Sequence, residues 1–254
     1  MESNEQRDGG ILQVMVSCYF WVSLFLISGL LFPLSILIWI TTFLFDRRRY
    51  ILHQFTCRWA DIILGINPYW TIMVEGRHKI DPKEVYVMVS NHQSGMDILA
   101  LFKLHCHFKW VAKRGLFVIP FIGWNMALNG YISIERSRGK SKLQMMDKAA
   151  ESIEAGNSVM LFPEGTRSPD GSLQVYKTGA FRLALETRSP ILPVVIHGTH
   201  LAIKKGGLLI HRNDHVRLVI LDPVPFEVFS RMDPKTLSQL IHDKTKLELE
   251  SQPR

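Results

Sequence analysis

The sequence predicts an α/β fold, with a mostly parallel sheet flanked by helices and an N-terminal membrane-embedded helical segment. Three observations support this prediction. Short β-branched runs alternate with stretches of helical periodicity, polar loops follow several of these runs, and residues 11–45 carry no formal charge. A chain of 254 residues can also bury a sizeable core. We therefore expect a membrane anchor over residues 1–50 and a single α/β domain over residues 51–254.

The uncharged stretch from Ile11 to Phe45 is rich in Leu, Ile, Phe, Val and Trp. Because about 20 residues cross a bilayer, this stretch is too long for a simple span and too short for two comfortable spans. Gly29 and Pro33 indicate where a helix would break. We expect either one tilted span with an interfacial extension or two shorter helices that form a hairpin in one leaflet. A buried helical pair in a soluble protein is the alternative.

A signal peptide would also begin with an apolar stretch near the N-terminus. Here the preceding residues carry Glu2, Glu5 and Asp8 against Arg7, and the apolar stretch is too long, so the segment should remain in the protein. The residues Arg47–Arg49 follow it and should lie at the lipid headgroups. By the positive-inside tendency, we expect membrane localisation with the domain on the cytoplasmic face of a bacterial inner membrane or the endoplasmic reticulum.

Strands and helices alternate through the rest of the chain. The predicted strands are 85–90, 131–135, 158–162 and 191–198, and the predicted helices are 96–105, 140–156, 178–188 and 234–250. Pro193 places the last of these strands near an edge or a bulge. Residues 208–221 predict a hairpin that turns at Arg212 to Asp214. Because helices connect successive strands, the sheet should be mostly parallel, and the loops at the carboxyl ends of its strands should carry the chemistry.

The charge and the cysteines limit the class of partner. Lys and Arg outnumber Asp and Glu by 30 to 23, which favours an anionic partner such as a phosphorylated metabolite, an anionic lipid or nucleic acid. Nucleic acid is not expected, since neither a recognition helix nor an aromatic-basic platform is present. Cys18, Cys57 and Cys106 are too scattered for a disulfide framework. Cys106 lies between His105 and His107, but no second ligand cluster has a zinc-like spacing, so no metal is expected.

The polar loop after the first predicted strand contains His92 and Asp97. A carboxylate in the first turn of the next helix can accept a hydrogen bond from the imidazole, which fixes the tautomer and makes the other ring nitrogen a better base. The same residues have a structural interpretation, in which Ser94 caps the helix and Asp97 completes a capping box. The two interpretations are compatible, and the spacing alone does not choose between them.

A second polar cluster, Phe-Pro-Glu-Gly-Thr-Arg-Ser, occupies residues 162–168 directly after another predicted strand. Pro163 and Gly165 predict a tight turn with exposed N–H groups, and Arg167 can offer two donors to a phosphate. The alternative is an ordinary turn with a surface ion pair between Glu164 and Arg167.

Two further basic positions accompany these loops. Lys177 leads into a predicted helix whose N-terminus would attract an anion, which favours phosphate binding at the second cluster. Arg136 ends the strand predicted over 131–135. The basic residues that follow Arg136 are explained by a solvated face, and Arg136 alone would be weak evidence for a site.

Together these blocks resemble the glycerolipid acyltransferase family that includes the 1-acylglycerol-3-phosphate acyltransferases. The family signature of Asn-His, four residues and Asp is present as Asn91, His92 and Asp97. The second block is matched by Gly130 and Arg136, although Ser133 stands where a larger apolar residue is usual. The third block is matched letter for letter at 162–168, and the fourth is the strand at 191–198 with its internal proline. Four blocks in the family order make the resemblance specific.

The resemblance implies transfer of a fatty acyl group from an acyl thioester to the free hydroxyl of 1-acylglycerol 3-phosphate (lysophosphatidic acid), which gives phosphatidic acid. It implies His92 as the base, with Asp97 holding the ring. Lys113 is a candidate for an anionic substrate group or the oxyanion. The residues implied in binding the acceptor are Arg136, Glu164, Gly165, Thr166 and Arg167.

No cofactor is implied, because acyl-CoA or acyl-acyl carrier protein serves as the co-substrate. Ser94 is not expected to be a nucleophile, because the chain lacks a G-x-S-x-G elbow. One alternative is an acyltransferase for another lysophospholipid or for a lipid amine or alcohol. The other is a non-catalytic lipid-binding membrane adaptor with the same fold.

Overall fold

The computed structural model describes residues 2–67, 69–135, 139–203 and 206–251. Within these ranges the strands are β1 (Trp70–Glu75), β2 (Val87–Ser90), β3 (Phe108–Lys113), β4 (Ile132–Ile134), β5 (Ser158–Leu161), β6 (Ile191–His197) and β7 (Asn213–Ile220). The helices are α1 (Glu2–Thr42), α2 (Tyr50–Gly65), α3 (Met96–Phe102), α4 (Ile122–Leu128), α5 (Gly139–Glu154), α6 (Gly179–Thr187), α7 (Thr199–Ala202), α8 (Phe226–Phe229) and α9 (Pro234–Glu250).

The described strands form one sheet in the order β1-β7-β6-β2-β5-β3-β4. The five strands from β6 to β4 are parallel to one another, β7 is antiparallel to β6, and β1 is parallel to β7. The predicted α/β fold with a mostly parallel sheet is therefore confirmed. The carboxyl ends of β2, β3 and β5 meet at one edge of the sheet, where the predicted site loops begin.

Alternate residues of the strands pack on two helical layers. Val87 and Val159 face a core built with α5, α6 and α9, whereas Met88 and Met160 face a core built with α2 and α3. Strands that are buried on both faces read as continuous apolar runs, which is why β2, β5 and β6 could be predicted from the sequence.

The predicted hairpin over residues 208–221 is wrong. Only its second arm forms a strand, β7, and that strand already pairs with β6 on one side and β1 on the other. Neither side of β7 is therefore left for the first arm, from which Ile210 makes an isolated bridge to Ile203. Pro193 lies in the interior strand β6 rather than near an edge. It precedes Val194, the first residue of the β6–β7 ladder, so its missing N–H falls outside that ladder.

Helix α1 is continuous from Glu2 to Thr42, with Pro33 inside it. The predicted break at Gly29 and Pro33 is therefore wrong, and so is a hairpin that turns there. Gly29 permits close packing, because a Cβ atom at this position would lie 3.4 Å from the ring of Phe121. Residues Gly10–Thr42 are long and apolar enough to cross a membrane, with a length of about 50 Å.

The turn between α1 and α2 is attached to the domain. Asp46 accepts hydrogen bonds from the N–H groups of Tyr50 and Ile51, which begins α2. Arg49 donates from Nη1 to the carbonyl of Ala127 at 3.1 Å, and the carbonyl of Arg48 accepts from a buried lysine of β3. The guanidinium of Arg49 therefore contacts the chain's own backbone, and the expectation that the arginine cluster lies at the lipid headgroups stays a prediction.

Candidate functional site

The loop after β2 holds the predicted histidine and aspartate in contact. Nδ1 of His92 lies 2.7 Å from Oδ2 of Asp97, and the same oxygen accepts from the backbone N–H groups of Gln93 and Ser94 at 2.7 and 2.9 Å. Asp97 is fully buried, so these donors stabilise the carboxylate where water does not reach it. The predicted contact between His92 and Asp97 is present.

The geometry of this contact sets the chemistry of the imidazole. Because the Asp97 carboxylate accepts at Nδ1, the proton of the neutral ring belongs on Nδ1, and Nε2 keeps its lone pair. The ring of His92 stacks on that of Phe162, with centroids 3.9 Å apart and planes at 10°. The imidazole is therefore held on one face and one edge, and it lines a cavity.

Ser94 takes part in starting helix α3. Its hydroxyl donates to the carbonyl of Ile203 at 2.8 Å and accepts from the N–H of Met96 at 3.3 Å. The bond from the Ser94 N–H to Asp97 is the reciprocal half of a capping box. The contacts expected from both interpretations of this loop are therefore present, and the hydroxyl proton of Ser94 is already used in a structural contact.

Asn91 connects the same loop to the next strand of the sheet. Its Nδ2 donates to the carbonyl of Ile196 at 2.9 Å, and its Oδ1 accepts from the Ile196 N–H at 2.8 Å. The amide side chain thus satisfies both backbone groups of one residue in β6. This pairing fixes the point at which the loop leaves β2, directly before His92.

The second predicted cluster reaches the first through its backbone and one carboxyl. The Ser168 N–H donates to the carbonyl of His92 at 2.8 Å, and Oε1 of Glu164 accepts from the His92 N–H at 3.0 Å. Both backbone groups of His92 are therefore held by residues of the turn after β5. Gly165 has φ of +72°, a left-handed conformation that favours glycine.

Glu164 is buried next to the backbone of His92. Its side chain is buried, and Oε2 has no hydrogen-bond partner among the described residues. Burial raises the pKa of this carboxyl from 4.5 to about 8. The carboxyl is therefore buried and engaged with the backbone of His92, which differs from the exposed position that the alternative of an ordinary surface turn requires. A role of Glu164 in binding the acceptor stays a prediction.

Cationic groups lie over the two loops. A Cβ atom on Gly165 would lie 2.6 Å from Nζ of Lys177, and one on Gly95 would lie 3.7 Å from Nη1 of Arg167. The two cationic heads therefore lie beside the turn after β5 and the start of α3, where the structure brings both predicted clusters together. Thr166 is exposed on the same turn. Arg136, the remaining predicted cation, lies outside the described residues.

A cavity of about 210 Å³ begins at His92. Phe162 and Lys113, at the carboxyl ends of β5 and β3, also line it, and the role of Lys113 near the reacting groups stays a prediction. Most of the remaining lining is apolar. It comes from α1 to α4, from β3 and from the segment between β3 and α4: Leu24, Trp59, Ala60, Ile63, Ile98, Leu99, Phe102, Trp110, Leu116, Ile119, Ile122 and Met126. The cavity suits a hydrocarbon chain whose reactive end lies at the imidazole.

Metal ligation has no support in the geometry of the described residues. No group of three or more His, Cys, Asp or Glu side chains among them is placed to hold a metal ion. Nε2 of His105 instead lies 3.2 Å from Oδ2 of Asp61, and Nε2 of His107 lies 2.8 Å from Oδ1 of Asn157.

The sequence analysis did not anticipate the walls of the cavity or the structural roles of Asn91 and Glu164. Helix α2 had a signal, because its buried residues recur at helical spacing over 50–65. The contact between Glu164 and His92 had no signal in the sequence, since it joins residues 72 positions apart.

Comparisons with known proteins agree with this geometry. Residues 71–197 match the family model described as Acyltransferase. The chain is 37% identical over 183 residues to the chloroplastic 1-acyl-sn-glycerol-3-phosphate acyltransferase BAT2 of Brassica napus, which covers 71% of this chain and 53% of that protein. It is 34% identical over 185 residues to the human 1-acyl-sn-glycerol-3-phosphate acyltransferase alpha, which covers 71% of this chain and 65% of that protein.

The fold is similar to a solved structure of the same class. It aligns with the crystal structure of the 1-acyl-sn-glycerophosphate (LPA) acyltransferase PlsC from Thermotoga maritima with a TM-score of 0.78 and 27% identity, over 95% of this chain and 96% of that one. In contrast, the chain spans about half the length of the plant relatives that it matches.

Proposed function

Because the chain belongs to the acyltransferase family, we propose that it transfers a fatty acyl group from an acyl thioester to the free hydroxyl of a 1-acylglycerol 3-phosphate, giving phosphatidic acid. One observation carries the proposal: the His92–Asp97 pair lies at the polar end of an apolar cavity, beside the cationic heads of Arg167 and Lys177. The relatives named for this activity support it.

His92 acts as the general base through Nε2. As the acceptor hydroxyl attacks the thioester carbonyl, Nε2 takes its proton, and a carbon–oxygen bond forms. The tetrahedral intermediate then collapses, the carbon–sulfur bond breaks, and the proton passes to the leaving thiolate. Asp97 holds the ring and stabilises the imidazolium, and Lys113 offers its ammonium near the developing oxyanion. The reaction needs no covalent enzyme intermediate.

The acceptor phosphate binds next to the loops that follow β2 and β5. Arg167 and Lys177 supply charge there, and Arg136 and the backbone of Gly165 and Thr166 belong to the same proposal. Holding the phosphate orients the acceptor hydroxyl toward His92, which converts binding energy into rate.

The donor is an acyl thioester carried by coenzyme A or by acyl carrier protein. Helix α1 holds the enzyme at a membrane, with the domain on the cytoplasmic face. A site at the bilayer surface spares the acyl chains of both substrates a passage through water.

An acceptor panel tests the proposal. Purified protein in detergent is incubated with a radiolabelled acyl-CoA, or with the matching acyl carrier protein thioester, and with acceptors that differ only in the headgroup. We expect 1-acylglycerol 3-phosphate to exceed monoacylglycerol and lysophosphatidylcholine by at least about a hundredfold in kcat/KM, because a site built for a phosphate rejects its absence.

The same panel separates the alternatives. A preference for an acceptor without a phosphate monoester would replace the proposed substrate with another lysolipid or a lipid alcohol. Binding of lysolipids without acylation of any of them would identify a lipid-binding adaptor.

A further inference from the structure

The segment Leu116–Trp124 links the catalytic domain to the apolar helix α1. No residue of the range 115–134 carries a formal charge, and the basic residues Lys113 and Arg114 precede it directly. A basic pair followed by a long uncharged stretch is typical of a chain that leaves the headgroup region for hydrocarbon.

Some side chains of this segment are exposed on the surface, and others line the cavity. Val118 is 75% exposed and Trp124 is 46% exposed, which is unusual for large apolar residues in a folded domain. Ile119 is 38% exposed and also lines the cavity that begins at His92. The segment therefore has an outer apolar surface and an inner one that reaches the site.

The outer surface is continuous with α1. Phe121 packs edge-to-face against Phe25 at 5.2 Å, and Trp124 packs against Phe32 at 5.5 Å. On the adjoining surface of α1, Leu26 is 65% exposed and Leu30 is 75% exposed. The segment and α1 thus form one apolar surface that no described residue covers, and its continuation along a candidate membrane span identifies its occupant as the hydrocarbon of a bilayer.

We propose that the segment Leu116–Trp124 inserts into the bilayer beside α1, and that the substrate's hydrocarbon chain enters the cavity sideways from the membrane through the seam between them. Residues from both sides of the seam line the cavity: Leu24 and Ser28 from α1, and Leu116, Ile119 and Ile122 from the segment. The second part of this proposal rests on the proposed function, because it concerns the acyl substrate. Lys113 and Arg114 lie at the headgroups and mark the depth at which the thioester meets His92.

Membrane insertion is tested without any turnover. In a Cys18→Ser background, Val118→Cys is labelled with bimane, and Leu247→Cys, which replaces an equally exposed apolar residue in α9, is the matched control. Labelled protein is reconstituted in phosphatidylcholine vesicles that contain lipids with a nitroxide on the acyl chain. We expect the lipid nitroxide to quench bimane at position 118 and aqueous iodide to quench it at position 247.

Two outcomes would overturn insertion. Iodide quenching of equal strength at both positions would place the segment in water. Protection of position 118 from both quenchers would show that a protein, such as a second copy of this chain, covers the surface.

The route of entry is tested with a matched pair of substitutions. Val118→Asp and Ile119→Asp place the same charge on the segment, but only Ile119 lines the cavity. We expect both variants to bind vesicles at least about tenfold more weakly. In detergent, where insertion is not limiting, only Ile119→Asp should lower the ratio of palmitoyl to butyryl transfer, by about tenfold or more.

An unchanged ratio in Ile119→Asp would overturn entry through the seam while leaving insertion standing. If the unsubstituted protein showed no acyl transfer at all, the proposed function would be contradicted. The quenching experiment would still decide whether the segment Leu116–Trp124 inserts into the bilayer.

Discussion

At the scale of single residues, the site depends on the imidazole of His92, which other residues hold in a fixed orientation. The ring of His92 is held at Nδ1 by Asp97 and on its face by Phe162, and its backbone is held by Glu164 and Ser168. Only Nε2 is left for a substrate. Such preorganisation suits the general base that we propose, because the ring needs no reorganisation at the moment of reaction.

Removal of this base gives a direct prediction. His92→Ala should lower kcat for acyl transfer by at least about a hundredfold, because the acceptor hydroxyl loses its proton acceptor. Binding of the acceptor, measured by equilibrium dialysis with 1-acylglycerol 3-phosphate, should change little. A His92→Ala protein with near-normal turnover would remove the histidine from the proposed role. Phe181→Leu, in the core behind the opposite face of the sheet, controls for general loosening.

Glu164 gives a prediction about stability and pH. Burial raises the pKa of its carboxyl from 4.5 to about 8, so the folded protein holds this proton more tightly than the unfolded chain does. Its contribution to stability is fully present below pH 4.5 and is lost as the pH rises toward about 8. Glu164→Gln keeps an oxygen for the His92 N–H but does not titrate.

The free energy of unfolding of Glu164→Gln, relative to the unsubstituted protein, should therefore rise between pH 5 and pH 8, by up to about 1.4 kcal/mol for each pH unit. Chemical denaturation in detergent at several pH values measures this difference. A difference that stays constant with pH would show that Glu164 is ionised in the folded protein at neutral pH.

At the scale of elements, the sheet positions the site partly through a side chain that pairs with the backbone of a neighbouring strand. Asn91 replaces a strand partner for Ile196, so β2 and β6 remain registered one residue beyond the last backbone pair. The loops after β2 and β5 are then joined by the contacts of His92 with Glu164 and Ser168. The site is thus a product of strand adjacency, which brings loops together that are distant in sequence.

Asn91→Ala should consequently destabilise the fold as well as the site. The substitution leaves the buried N–H and C=O groups of Ile196 without partners, which should lower the free energy of unfolding by about 2 kcal/mol or more. Thermal unfolding in detergent measures this loss. Ser90→Ala, which removes one hydroxyl contact in the same loop, is the control and should cost less. Equal losses in the two variants would contradict the special role of Asn91.

The same scale explains which elements the sequence could predict. Local periodicity sufficed for β2, β5, β6 and the helices α3, α5 and α6, because these elements are buried on defined faces. It failed for β3, where the buried Lys109 interrupts the apolar run, and for the first arm of the predicted hairpin, whose pairing depended on which strand edges remained open. It also failed at Pro33, which the long helix α1 tolerates.

At the scale of the whole molecule, the geometry of the site could be predicted where the contacts are local. His92 and Asp97 are five residues apart, in a loop and in the first turn of the next helix, so their spacing sufficed to predict their contact. The contact of Glu164 with His92 was not predicted, because it depends on the packing of β2 beside β5. The cavity was not predicted, since its walls combine α1 and α2 with helices and strands that come much later in the chain.

A buried lysine in the sheet, Lys109, holds the helices that form the cavity walls. Nζ of Lys109 in β3 donates to the carbonyls of Arg48 and Asn129, both at 2.7 Å, and burial lowers its pKa to about 7. The first carbonyl belongs to the turn between α1 and α2, and the second follows α4. Lys109 therefore holds the cavity's helical walls against the sheet, although it does not line the cavity itself.

Lys109→Met should loosen this junction, because both carbonyls lose their donor and methionine fills the space without replacing it. We expect faster tryptic cleavage at Arg47–Arg49 and slower acyl transfer, since the walls formed by α1 and α2 would shift relative to His92. Lys109→Gln, whose amide can donate two hydrogen bonds, is the matched control and should retain more of the protection. If Lys109→Met resists trypsin as well as the unsubstituted protein does, the turn is held by other contacts, such as the bond from Arg49 to Ala127.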